Sequence, residues 1–251
     1  MADKEARMTI IEHLDELRSR LIEGVIAVLV TTVICYIFSN QILELLRAPA
    51  AEYIDKFVVF SPMDGFIVRW KVALYGGIVL AAPFLAWQAI MFIMPGLTEH
   101  ERKFMIPGLL AMVGLFLFGT FLGYLSLPAT FHVLIGMMGS ELEYLPTANS
   151  YVSLVVFLLL AWGLAFETPV VILALVHMGL LTPQTLRKQR RVAYFVMFVF
   201  AEIITPVADP IVAPMMIMTP MVALFEISIR LADRIYARQQ AEAALPTTTP
   251  S

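Results

Sequence analysis

The sequence contains a single cysteine, Cys35, set inside an apolar run. An intrachain disulfide is therefore impossible and a multi-cysteine metal site is excluded, and no metal or cofactor is expected. Charge is nearly as scarce: Asp, Glu, Lys and Arg make up 15% of the 251 residues, against about a quarter in an ordinary soluble domain. The formal net charge of -3 leaves no basic surplus to neutralise a phosphate backbone, so no nucleic-acid partner is expected. There is no G-x-x-x-x-G-K-[ST] phosphate loop, no G-x-S-x-G and no H-E-x-x-H. Those absences argue against nucleotide-driven work and against hydrolysis, and the chain is expected not to be an enzyme.

What fills the chain is apolar sequence, at 60% of all residues. A bilayer core about 30 Å thick needs roughly 20 apolar residues in a helix. Runs of that order occupy about 21–38, 72–94, 105–131 and 152–178. The next apolar stretch is split by Thr205, Pro206, Ala208, Asp209 and Pro210, a turn signal, into two shorter spans over 192–204 and 211–229. The pattern predicts an all-α integral membrane protein with six transmembrane helices, the last two short, forming one domain over 1–237. Residues 238–251 lack periodicity and are expected to be a disordered cytoplasmic tail.

Positive residues are retained in the cytoplasm. Thirteen Lys and Arg fall on the side of the N-terminus, from Lys4 and Arg7 to Arg234 and Arg238, whereas Arg47, Lys56, Arg69 and Lys71 fall on the other. Both termini are therefore expected inside. The first apolar run is too long for a secretory signal core and lacks a small-x-small site, so it is expected to remain as a span. No internal repeat is evident, because both short spans lie at the C-terminal end.

Ahead of the first span, Thr9 and Glu12 form a capping-box pattern, and Ile10, Leu14, Leu17 and Leu21 recur at helical spacing. An amphipathic helix is expected over 9–20. Its polar face carries Glu12, Asp15 and Glu16; Glu12 and Glu16, four apart, repel by a few tenths of a kcal/mol. Two explanations stand side by side: carboxylates complementing the helix dipole with Arg18 and Arg20 as counter-charges, or a site for a cation. Thr98 and Glu101 make a second capping box after Pro95-Gly96, and Glu101 is open to the same two readings. Adjacent arginines would engage such carboxylates bidentately, as lysines cannot.

The stretches His13-Leu14-Asp15-Glu16-Leu17-Arg18-Ser19-Arg20-Leu21, Thr98-Glu99-His100-Glu101-Arg102, Phe166-Glu167-Thr168-Pro169-Val170 and Leu186-Arg187-Lys188-Gln189-Arg190, in this order, closely resemble the TatC family. TatC is the signal-receptor subunit of the twin-arginine protein translocase, and the resemblance spans roughly residues 8–237. It implies a multi-pass protein of a bacterial-type plasma membrane that binds twin-arginine signal peptides of folded proteins at its cytoplasmic face. It also implies partners of the TatA and TatB type, self-association, and passage driven by the proton gradient. By the same resemblance Glu16 and Glu101 recognise the arginine pair, Arg18 supports them, and Phe92 lies near the site. Pro49 matches a family proline of the first external loop. Ser61-Pro62-Met63-Asp64 is similar to a Ser-Pro-x-Glu pattern with a shorter acid, and Asp209 resembles an external acid, here separated from Thr205-Pro206 by a two-residue spacer.

Within the apolar runs, Glu167 is costly to bury in lipid and is expected to face protein or water, with Pro169 kinking its helix. That arrangement suggests a groove for partners, and Gln88 and Glu226 are expected as helix-helix contacts near it. The alternative function is a proton-coupled small-solute transporter using Glu167. An intramembrane protease is the remaining class, and the membrane Ser-His pairing it needs is not evident.

Overall fold

A hydrophobic stretch with no water to hydrogen-bond its backbone is satisfied most cheaply as helix, and the computed structural model of the chain is helical accordingly. It describes residues 10–54, 57–93, 105–136, 145–177, 179–204 and 212–243. Among these the helices are α1 (Ile10–Ile37), α2 (Ser39–Arg47), α3 (Pro62–Ile93), α4 (Met105–Gly136), α5 (Ala148–Phe166), α6 (Thr168–His177), α7 (Pro183–Lys188), α8 (Arg190–Ile204) and α9 (Val212–Ala243). No strand occurs among the described residues; Val58 and Thr147 form one isolated parallel bridge.

Among the described residues, four helical stretches are long and apolar enough to cross a membrane: Ile11–Ile37, Pro62–Ile93, Ile106–Gly136 and Ala148–His177. Their apolar side chains do not all turn inward. Along α1, Leu21, Val25, Leu29, Val33 and Ile37 are exposed, as are Leu110, Leu117, Phe121 and Leu125 on α4. Such belts would be far beyond the apolar patch a water-soluble monomer tolerates, and lipid is the solvent that accommodates them. The protein is thus a multi-pass membrane protein. The helix α8 has 15 residues, about 22 Å at 1.5 Å per residue, less than the bilayer core. In α9, by contrast, the helix outruns its apolar stretch, since Ala, Arg, Gln and Glu after Arg230 are good helix formers and carry it to Ala243.

The chain divides into two compact units. The first comprises residues 1–117 and 144–156, and its centre is the antiparallel pairing of α1 with α3. Small residues let the two backbones meet. A Cβ on Gly77 would lie 2.5 Å from Thr32 Oγ1 and 2.8 Å from the Thr32 backbone, and one on Gly76 would lie 3.2 Å from Cys35 Sγ. The close approach brings the Thr31 hydroxyl within 2.8 Å of the Gly77 carbonyl, to which it donates. Polar side chains and small residues are the usual cement between helices in lipid, where hydrophobic burial discriminates little.

At the opposite end of this unit, α2 and the 3-10 turn Ala48–Ala50 fold back toward the start of α5. Ala50 and Ile54 are fully buried. Tyr151 donates its hydroxyl to the Leu46 carbonyl at 2.7 Å and lays its ring 5.0 Å from that of Phe57. Lys71 on α3 donates to Asn149 Oδ1 and Ser153 Oγ, both at 2.7 Å. Tyr151→Phe keeps the ring contact and removes one buried hydrogen bond, an expected loss of about 1–2 kcal/mol. A denaturant midpoint that does not move would show that ring packing alone fixes this corner.

The second unit comprises residues 118–143 and 157–251. Gly119 and Gly123, one turn apart on α4, lie against Trp162 and Phe166 of α5: a Cβ on Gly119 would stand 2.7 Å from the Trp162 carbonyl oxygen. This G-x-x-x-G spacing exposes a strip of backbone for close packing. Beyond the end of α6 at His177, Gly179 has a φ of 73°, which a glycine adopts without strain, and Leu180 N–H returns to the Leu175 carbonyl. Arg187 pairs with Asp233 and ties α7 to α9.

Candidate functional site

On a helix, residues three or four apart share a face, and His13, Glu16, Arg20 and Glu23 follow that spacing along α1. Gln88 and Phe92 do so on α3. Antiparallel packing brings these two rows together at the end of the first unit that holds the N-terminal part of α1. The His13 and Phe92 rings stack with centroids 4.3 Å apart and planes 13° from parallel. One turn along, Arg20 donates from Nη2 to Glu16 Oε1 at 3.3 Å and from Nη1 to Gln88 Oε1 at 3.1 Å. Gln88, buried, donates in turn from Nε2 to Glu23 Oε2.

The Glu16 side chain is 15% exposed. Its Oε2 is buried and has no hydrogen-bond partner among the described residues; His13 Nδ1 is 3.9 Å away. Desolvating a carboxylate oxygen without a donor is costly, and it leaves Glu16 with acceptor capacity that a cationic ligand is able to use. The local charge points the same way. Glu16 and Glu23 bring two carboxylates to this row, Arg20 brings one guanidinium, and Gln88 is neutral.

Of the residues expected to take a signal peptide, Glu16 and Phe92 come together, linked through His13. Arg18, two positions from Glu16, is exposed and lies on another face of α1; the arginine that contacts Glu16 is Arg20. Glu101, with the rest of residues 94–104, lies outside the described residues. Arg20 is one of the two counter-charges expected for this face; no role is expected from the sequence for His13 and Glu23, although the 13/16/20/23 spacing carries the signal.

In the second unit Glu167 occupies the break between α5 and α6. Pro169 has no N–H to give to the Ala165 carbonyl one turn back, and the Thr168 hydroxyl takes that acceptor instead at 2.6 Å. The chain then resumes as helix, with Val171 N–H on the Glu167 carbonyl at 3.0 Å. Glu167 Oε2 is buried without a hydrogen-bond partner among the described residues. Glu226 is engaged elsewhere: Arg190 donates to its Oε2 at 2.8 Å and Tyr194 to its Oε1 at 2.6 Å, joining α8 to α9. Gln88 belongs to the first unit and Glu167 and Glu226 to the second. Gln88 and Glu226 are helix-helix contacts within their own units.

Pro49 lies in the 3-10 turn Ala48–Ala50. Asp64 closes the start of α3: its Oδ2 accepts from Ser61 N–H at 3.1 Å while the Ser61 hydroxyl accepts from Met63 N–H at 3.3 Å. This is a capping box with aspartate in place of glutamate. Asp209 lies outside the described residues, as do Thr9 and Thr98 of the two expected capping boxes. No cluster of three or more His, Cys, Asp or Glu suited to a metal occurs among the described residues.

The family model described as Sec-independent protein translocase protein (TatC) matches residues 12–220. A Sec-independent protein translocase protein TatC of Magnetococcus marinus is 37% identical over 246 residues, covering 95% of this chain and 90% of that one. A chloroplastic counterpart from Oryza sativa is 33% identical over 89% of this chain. Among solved structures, a crystal structure of the twin arginine translocase receptor TatC in DDM superposes with a TM-score of 0.77 at 33% identity, covering 88% of this chain and 99% of that one. None of these relatives is a small-solute transporter, and the transporter reading gains no support from them.

Proposed function

The chain belongs to the TatC family of Sec-independent protein translocase proteins, and from that premise we propose that it is the receptor of a twin-arginine translocase, taking the signal peptide's arginine pair at Glu16. The observation that carries this reading is Glu16 itself: a largely buried carboxylate with one oxygen unpaired among the described residues, beside the His13–Phe92 stack. A guanidinium fork matches a carboxylate through two parallel hydrogen bonds. Glu101 on the following loop is the second acid, one for each arginine, and Arg18 supports them from the exposed face of α1.

The protein works in a bacterial-type plasma membrane with six spans and both termini in the cytoplasm, so that the Glu16 end of the first unit faces arriving folded substrates. It performs no catalysis and uses no cofactor. Single-span partners of the TatA and TatB type dock on it, further copies associate, and the proton gradient drives passage. The break at Glu167 and Pro169 supplies a concave polar point for such docking, and the Asp64-capped start of α3 and Pro49 order the external loops, with Asp209 on the same side.

The test is binding of a signal peptide with Arg-Arg, and of its Lys-Lys version, to the purified full chain. The Lys-Lys form is expected to bind at least about tenfold more weakly, the worth of one lost bidentate pair. Equal affinity for the two would overturn the reading.

A further inference from the structure

We propose that Arg20 is a built-in competitor for the arginine site, and that it makes the site prefer guanidinium to ammonium; this rests on the reading of Glu16 given above. Arg20 already holds one of the two oxygens that a forked arginine uses. Its bond to Glu16 Oε1, at 3.3 Å, is longer than the about 2.7–2.9 Å usual for a charge-assisted pair, and it engages only one of the two oxygens. The hold is loose. A peptide guanidinium that binds Glu16 through both oxygens either shares Oε1 with Arg20 or takes it, and the repulsion of two guanidinium groups on one oxygen favours exchange.

The structure supplies somewhere for Arg20 to go. It stands between Glu16, four residues before it, and Glu23, three after it, both neighbours on the helix surface. Its Nη1 is already on Gln88 Oε1, and Gln88 Nε2 is already on Glu23 Oε2. Displaced from Glu16, the Arg20 side chain moves one turn along α1 onto Glu23, with the Gln88 oxygen as its pivot. The charges then close: two carboxylates and one guanidinium before binding become two and two after it.

This exchange discriminates. Guanidinium for guanidinium replaces a single long bond by a fork of two and leaves each arginine with a carboxylate. An ammonium is a point donor that offers no fork, so it gains too little to expel Arg20. Selectivity through an internal rival penalises the wrong ligand instead of only favouring the right one.

The experiment measures Arg-Arg and Lys-Lys peptide affinities on the full chain and on Arg20→Gln, Arg20→Lys and Glu23→Gln. In Arg20→Gln the Lys-Lys affinity is expected to rise about fivefold or more and the Arg-Arg affinity less, so the preference shrinks by several-fold. Arg20→Lys, which keeps a single-point rival, falls between. A preference that stays the same or grows, or equal weakening of both peptides, would overturn the proposal and make Arg20 a positioning group for Glu16. If Arg20→Gln does not fold, Glu23→Gln decides. It deprives Arg20 of its second carboxylate, and Arg-Arg binding should weaken several-fold; unchanged binding overturns the proposal. Failure of the receptor reading looks different, because the unaltered chain would then show no preference at all.

Discussion

Glu16→Ala is expected to weaken binding of an Arg-Arg signal peptide by about ten- to a hundredfold, the effect of removing a charge-assisted hydrogen-bond pair from a desolvated position. Three features set the size. The Glu16 side chain is 15% exposed, so its attraction for a cation is little screened by water. Its Oε2 has no hydrogen-bond donor among the described residues, so the unbound state loses little when the ligand takes it. Truncation also removes one of the two carboxylates of this row while the Arg20 guanidinium stays, so the positive charge that the peptide arginine meets is less offset. Glu16→Gln keeps the shape and one acceptor but not the charge, and should recover only part of the loss. Asp15, the exposed neighbour on α1, serves as the comparison: Asp15→Asn should leave affinity within about twofold, because a solvated charge contributes little. Fluorescence anisotropy or calorimetry with the labelled peptide measures all three, and Glu101→Ala is the parallel arm for the second acid. The fold should survive Glu16→Ala, since the only hydrogen bond lost to Arg20 is a single long one of 3.3 Å and Arg20 keeps Gln88. Wild-type affinity in Glu16→Ala would return that carboxylate to helix-dipole complementation.

Two glycine-to-alanine changes in one helix, α3, are expected to act with opposite signs. In a helix interior alanine is intrinsically better than glycine by about 0.8–1.0 kcal/mol. At Gly65 a Cβ meets nothing within 4 Å, so Gly65→Ala should realise that gain. At Gly77 the same methyl would lie 2.5 Å from Thr32 Oγ1 and 2.8 Å from Thr32 N and Cα, and backbone cannot rotate away. The helices α1 and α3 would have to part, which breaks the Thr31 hydroxyl bond to the Gly77 carbonyl and loosens the row of contacts on either side. Overpacking alone costs about 1–3 kcal/mol, and with the lost interhelical bond the expected destabilisation is about 3 kcal/mol, more for Gly77→Val. Unfolding of the detergent-solubilised protein in SDS or urea reads both. Equal shifts at Gly65 and Gly77 would mean that the close approach of α1 and α3 is not what holds the first unit together.

The two effects are connected through the α1–α3 seam. Gly77 and Thr32 set how near the helices come, and the same seam presents Gln88 to Arg20 and Phe92 to His13. A variant that parts the helices should therefore lose peptide binding as well as stability. Glu16→Ala should lose binding alone.

Parts of the site were readable in the chain before any packing was known. Glu16 sits four residues from Glu12, where helix stability gains nothing, but that spacing left dipole complementation and a cation site both open, and only likeness to the family singled it out. Phe92 and Arg18 came only from likeness to the family. The role of Asp64 was left undecided by likeness and settled by local geometry, since Ser61 and Asp64 are near enough in sequence to cap one another. Arg20 was legible as a counter-charge, but Glu23 has no partner until Gln88, 65 residues away in the chain, is packed against it. Gly119 and Gly123 carried a legible G-x-x-x-G, but nothing in their own spacing says that Trp162 and Phe166 fill it.

By itself the sequence determined the helical, membrane-spanning character of the protein and the local breaks in its helices. Transfer into lipid depends on the run of side chains along the chain, and a missing N–H at Pro169 disturbs the helix whatever its neighbours are. Tertiary structure alone decided which distant partner each polar group meets: Gln88 for Arg20 and Glu23, Arg190 and Tyr194 for Glu226. These choices follow from helix register, and register is fixed by steric fit between surfaces distant in sequence, where a single Cβ at Gly77 is enough to forbid the pairing.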